Sequence, residues 1–147
     1  MGSKGKRERR KREGGRANIR IPSTANILKA ISDDKSLDLF KIIAFENPDS
    51  DTLLSRTKLT RKQYYYRIAD LIKAGLVKRK YGKYFLSTTG KVVHNYHTII
   101  ESAINNYGAL KAIDSLESSN NLSQEEYINV VNTLIDNNKI KNIILGL

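Results

Sequence analysis

The stretch Leu59-Thr60-Arg61-Lys62-Gln63-Tyr64-Tyr65-Tyr66-Arg67, closed further on by Ala74-Gly75, decides how the chain folds. Thr60 is a good helix cap, because a threonine hydroxyl can accept one of the first free backbone N–H groups. At about 100° per residue, Tyr64, Ile68, Leu71 and Ile72 fall on one stripe. The spacing therefore predicts a helix over about 60–74, with that stripe and Leu59 facing a core. Gly75 stands just past the last turn, where a left-handed residue is wanted. Arg61, Lys62, Gln63, Tyr65 and Tyr66 are left outward, with Arg67 further round.

The pattern continues on both sides. Upstream, Ser23 or Thr24 caps a short helix carrying Ile27, Leu28 and Ile31. An amphipathic helix over about 35–45 follows, with Leu37, Phe40 and Ala44 on one stripe and Ile43 at its edge. Asn47-Pro48-Asp49-Ser50 breaks it. A short segment, 51–56, carries Leu53 and Leu54. Thr57-Lys58-Leu59 is long enough only for a tight turn.

Downstream the period changes to about two. Leu76–Tyr81 and Lys83–Ser87 read as strands around Gly82, a basic hairpin over about 76–87. A long helix is predicted over 89–107, with Val92, Val93, Tyr96, Ile99, Ile100, Ala103, Ile104 and Tyr107 as its apolar face. Gly108 ends or bends it. Leu110, Ile113 and Leu116 continue an apolar stripe, and 118–121 is a loop. Ser123 with Glu126 forms a capping box. Tyr127, Val130, Val131 and Leu134 make another helical face, and Ile140, Ile143 and Ile144 a last one.

Helix, short helix, tight turn, capped helix, basic hairpin and long helix follow the plan of a winged helix-turn-helix. The expected fold is mainly α with a small β-hairpin wing, plus a C-terminal helical extension. It divides into a disordered basic tail (1–22), a winged unit (23–93) and an extension (94–147). A major groove about 12 Å wide admits one helix, and cationic flanks neutralise phosphates. The candidate DNA-binding residues are Thr60, Arg61, Lys62, Gln63, Tyr65, Tyr66, Arg67, Lys78, Arg79, Lys80 and Lys83. Arg and Lys suit guanine, and Gln suits adenine.

The run from Leu59 to Arg67, the junction Ala74-Gly75-Leu76-Val77 and the exit Leu86-Ser87-Thr88-Thr89-Gly90-Lys91 resemble archaeal winged helix-turn-helix transcriptional regulators. They are broadly similar to the ArsR/MarR-like superfamily. The resemblance covers about residues 24–145 and is strongest over 51–93. It implies sequence-selective DNA binding as a dimer, and names no operator or effector. Metal-sensing members often use cysteine, and this chain has none.

Charge segregation agrees with a polyanionic partner. Of 147 residues with net charge +11, positions 1–20 hold nine Lys/Arg and two acids. Positions 50–95 hold eleven and two, whereas 96–147 hold three and six. DNA would bind the first two segments and be repelled by the last. The tail reads equally as a DNA arm or as a solubilising segment.

Absence of cysteine excludes disulfides and thiol catalysis. No apolar run, secretion signal or lipidation motif is read, so no membrane partner is expected. The expected setting is cytoplasmic and nucleoid-associated. His94, His97 and Glu101 share one side of the long helix, but fall on its polar face. They are expected to be solvated, with no metal and no cofactor. No P-loop, dinucleotide fingerprint or nucleophile elbow occurs, so no enzyme is expected.

The partners expected are double-stranded DNA and a second copy bound through helix 89–107. The competing expectations are an architectural DNA-binding protein of low sequence choice and a winged helix that binds protein.

Overall fold

The computed structural model describes residues 19–119 and 121–147. Most of the tail expected to be disordered, residues 1–18, lies outside that range. The described chain is mainly helical with one small antiparallel hairpin. Its order is α1 (Thr24–Ala30), α2 (Asp34–Glu46), α3 (Ser50–Thr57), α4 (Arg61–Lys73), β1 (Val77–Lys80), β2 (Lys83–Leu86), α5 (Thr88–Asn105), α6 (Tyr107–Ser118), α7 (Gln124–Leu134) and α8 (Asn138–Leu145).

Short polar side chains start these helices. Ser23, Asp33, Asp49, Thr60, Ser87, Ser123 and Asn137 each accept a backbone N–H of the first turn. Helix α2 ends on Asn47 in the left-handed region and is followed by Pro48. Helix α4 ends in a Schellman turn: Leu76 N–H donates to the Leu71 carbonyl and Gly75 N–H to Ile72. Gly75 has φ +78°, as its position predicted.

The hairpin pairs Val77 with Leu86, Lys78 with Phe85, Arg79 with Tyr84 and Lys80 with Lys83. Tyr81 and Gly82 both have positive φ, the geometry of a type I′ turn. Tyr84 N–H donates to the Pro48 carbonyl at 2.9 Å, which ties β2 to the α2–α3 loop.

Leu39, Phe40, Ile43, Leu53, Tyr64, Ile68, Leu71, Leu76, Val77, Tyr84 and Leu86 form one core. Helix α2 meets α3, α4, α5 and β2. Its buried arc is therefore wider than a single stripe and is centred on Ser36, Leu39, Phe40 and Ile43, not on the expected Leu37 and Ala44. Ile72, expected inside, is 42% exposed, because it sits at the edge of the α4 stripe.

A second core, Ile113, Val131, Ile135 and Ile140, joins α6, α7 and α8 and takes in Ile99 and Ala103 of α5.

Helix α5 departs most from expectation. It ends at Asn105, and Asn106 caps it by donating back to the carbonyls of Ser102 and Ala103. Tyr107 begins α6, and Gly108 lies inside α6 without breaking it. The predicted helix 89–107 is thus α5, ending two residues early. Its expected apolar face is divided: Val93, Ile99 and Ala103 pack on the two cores, and the rest stays outside. His97, expected in solvent, is 7% exposed. Val92, Tyr96, Ile100, Ile104 and Tyr107 stand outside at 54–65% exposure.

The physical reason is the partner that α2 offers. The Lys41 ammonium donates to Glu101 at 2.7 Å, and Phe40 and Phe45 meet the His94 ring edge-on at 5.9 and 6.3 Å. An amphipathic imidazole pair fits that mixed surface better than a row of aliphatic side chains.

Candidate nucleic-acid interface

Helix α4 is built rigidly and presented on one side. Its first turn carries a full capping box. Gln63 N–H donates to Thr60 Oγ1 at 3.2 Å, and Thr60 N–H donates to Gln63 Oε1 at 3.1 Å. The inner edge is fixed by buried Tyr64, Ile68 and Leu71. The Tyr64 hydroxyl donates to Ser50 Oγ at 3.0 Å, which locks α4 to the start of α3.

The eleven sequence-predicted residues divide three ways. Arg61, Lys62, Tyr65, Tyr66 and Lys78 are exposed. No protein hydrogen bond or ion pair holds these side chains among the described residues, although the Tyr65 ring packs edge-on against Tyr64 at 5.2 Å.

Thr60 and Gln63 are engaged in the cap. An adenine edge needs both an acceptor and a donor from Gln. Oε1 already accepts the Thr60 N–H, so an adenine would have to share that oxygen while the Gln63 NH2 is free. Arg67 is turned away from the outer side. Its Nε donates to Asp33 Oδ1 at 3.3 Å, at the N-terminus of α2. Burial works to raise the Asp33 pKa, but the two Ser36 hydrogen bonds and the Arg67 charge outweigh it and hold the carboxyl below its ordinary range.

On the hairpin, the Arg79 guanidinium lies 5.7 Å from the Tyr84 ring centre and the Lys80 ammonium 5.2 Å from that of Tyr81. Lys83 stands directly across from Lys80. Like charges facing across a strand pair weaken it. Neither strand carries an acid, although Asp49, the cap of α3, bridges to Lys83 from its other side and feels its charge. Asp70 is the only acid on α4. The outer side of α4 and the hairpin are therefore both cationic.

Sequence reasoning passed over Lys73. It shares the outer face with Lys62 and Tyr66, at the helical spacing i, i+4 and i+11, so the signal was present.

His94, His97 and Glu101 come together, but no group of metal-ligating side chains suited to an ion occurs among the described residues. His97 Nε2 lies 3.5 Å from Glu101, and its buried Nδ1 has no hydrogen-bond partner among the described residues. Burial, then the neighbouring His97 and Lys41 charges, hold the His94 pKa below 6.5, although Glu101 opposes them. In that window the folded protein binds fewer protons than the unfolded chain, so stability rises with pH. Thermal unfolding is expected at progressively lower temperature as pH drops from about 7 to 5. His94→Gln should flatten that dependence; an unchanged slope would show that His94 does not cause it.

No described helix is long and apolar enough to cross a membrane. Comparison with family models, with curated proteins and with solved structures found no match to this chain.

Proposed function

We propose that the chain is a sequence-selective, DNA-binding transcriptional regulator of the winged helix-turn-helix type. In this reading α4 enters the major groove. The hairpin acts as the wing on the adjacent backbone, and the N-terminal tail adds non-specific affinity. A second copy pairs through α5, so that two half-sites are read about 34–36 Å apart. Such a protein works in a nucleoid-associated, cytoplasmic setting.

The carrying observation is exposed Arg61, Lys62, Tyr65 and Tyr66 on a capped helix, together with a hairpin that carries Lys78, Arg79, Lys80 and Lys83 and no acid on either strand. A polyanion neutralises those charges. The exposed tyrosines suit thymine methyls, sugars or phosphates.

The test is quantitative binding to selected and random duplexes. Arg61→Ala with Lys62→Ala is expected to lower affinity for the selected duplex by roughly 10- to 100-fold, since a good base contact contributes about 1–3 kcal/mol. A flat salt titration of the wild-type protein would reject DNA binding and favour a protein-binding module.

One observation favours a second reading, an architectural protein with little sequence choice: the Gln63 carbonyl is held in the helix cap. Competition separates the two. A regulator keeps a specificity ratio of roughly 10³ or more over random DNA, and an architectural protein does not.

A further inference from the structure

A cleft of about 370 Å³ opens beside α4, on the flank formed by α1 and the segment leading into it. Three cations line it from three separate pieces of chain: Arg20 before α1, Lys29 near the end of α1 and Lys73 in the last turn of α4. None of them makes an ion pair among the described residues, even though Asp70 lines the same cleft. Tyr66 completes the wall.

Tyr66 and Lys73 also belong to the outer face of α4. The cleft and the candidate base-reading surface are therefore continuous.

Three unpaired cations converging on an open cleft would repel one another, unless an anion lies among them. Arg20 also fixes where the chain enters the fold.

We propose that this cleft seats a phosphodiester of the DNA strand bordering the groove that holds α4. The inference rests on the DNA-binding reading and adds to it a second phosphate track. The major groove has two walls. The hairpin meets one and the α1 flank meets the other, so α4 is framed on both sides. Arg20, Lys29 and Lys73 then act as positioning contacts, indifferent to base sequence.

The experiment measures the salt dependence of duplex binding for the full chain. Each phosphate contact contributes about 0.9 to the slope of log K against log salt. Lys29→Gln with Lys73→Gln is expected to reduce that slope by about 2. Affinity should fall by the same factor for selected and random duplexes. A control pair with the same change of net charge, Lys111→Gln with Lys141→Gln on α6 and α8, should leave the slope nearly unaltered. Asp70→Asn removes the one acid among the described residues that line the cleft and should tighten duplex binding several-fold, a gain that a damaged fold cannot mimic.

Equal slopes for the two lysine pairs, with wild-type duplex binding intact, would overturn the second track while leaving the DNA-binding reading standing. Absence of any duplex binding by the wild-type protein would overturn both. A third arm titrates AMP and follows backbone amide shifts. Saturable AMP binding at Lys29 and Lys73 that displaces no DNA would assign the phosphate to a free nucleotide and overturn the strand as its source.

Discussion

Gly90→Ala is expected to destabilise the fold by about 3 kcal/mol or more, the cost of forcing an atom into a packed site that cannot yield. A Cβ at Gly90 would lie 2.0 Å from the carbonyl oxygen of Leu76, far inside contact distance, and 3.3 Å from Ser87 Oγ. Neither neighbour is free to move. Leu76 is fully buried, its N–H closes the Schellman turn of α4 on Leu71, and its carbonyl accepts from Ser87 N–H at 2.9 Å. Ser87 Oγ donates to the Gly75 carbonyl and accepts the Gly90 N–H at 2.8 Å.

One glycine therefore sits where the end of α4, the exit of β2 and the start of α5 converge. For a chain of this length, that loss lowers the melting temperature by roughly 10 °C. The change is also expected to loosen the seating of α4 and the hairpin, so DNA binding should fall with it. Gly108→Ala is the matched comparison: a Cβ there meets nothing within 4 Å, and the position is helical. Alanine should be neutral or stabilising there, by up to about 1 kcal/mol. Equal melting temperatures for the two variants would refute the close approach at Gly90.

The same junction shows what a sequence can and cannot reveal. Thr60, Gly75 and the capping box of Ser123 with Glu126 are local signals, because each satisfies backbone groups a few residues away. They stand where the sequence placed them. The hairpin was legible because its period of two and Gly82 are also local.

Burial on α5 was not legible, since it depends on what another helix brings. Nothing within 89–107 indicates that Lys41, Phe40 and Phe45 will cover the histidine side, or that Ile99 and Ala103 will turn to α6, α7 and α8. Asn106 ended α5 where Gly108 was the visible candidate, because an asparagine can fold back on the last carbonyls. In the candidate interface the residue types were legible but their allegiances were not. Arg67 found Asp33, distant in sequence, and Gln63 turned its carbonyl to its own cap. The cleft beside α4 was out of reach for the same reason, since it needs α1 and α4 side by side.

Under the proposed pairing through α5, Ile100→Glu is expected to abolish self-association and, with that, to lower affinity for a two-half-site duplex by roughly 100-fold or more. Val92, Tyr96, Ile100 and Ile104 follow one another at intervals of four, and Tyr107 extends the row into α6. The row carries no charge, so a second copy can face it without repulsion from a chain of net charge +11. At the exposures observed it offers about 500 Å² per copy, near the lower bound for a specific interface once both copies are counted.

A row at intervals of four is one of the ridges by which helices interlock. Two such ridges pack at about −50°, rather than along a coiled-coil seam. Ile100 stands near the middle of the row, so symmetry brings it close to its own mate, and a glutamate there places two carboxylates together in an apolar contact. Removing two charges from water at such a site costs several kcal/mol. In the monomer the side chain is more than half exposed, so thermal stability at low concentration should change by less than about 0.5 kcal/mol.

Sedimentation measures association and calorimetry measures the fold, so the two effects separate. Because the chain has no cysteine, Ile100→Cys adds a second readout. Mild oxidation should link Ile100→Cys chains through their symmetric contact, while Val92→Cys, displaced along the crossing helices, links poorly to itself. If the wild-type protein sediments as a monomer at micromolar concentration, or if Val92→Cys cross-links as readily as Ile100→Cys, α5 is not the seam between copies and its apolar row serves another partner.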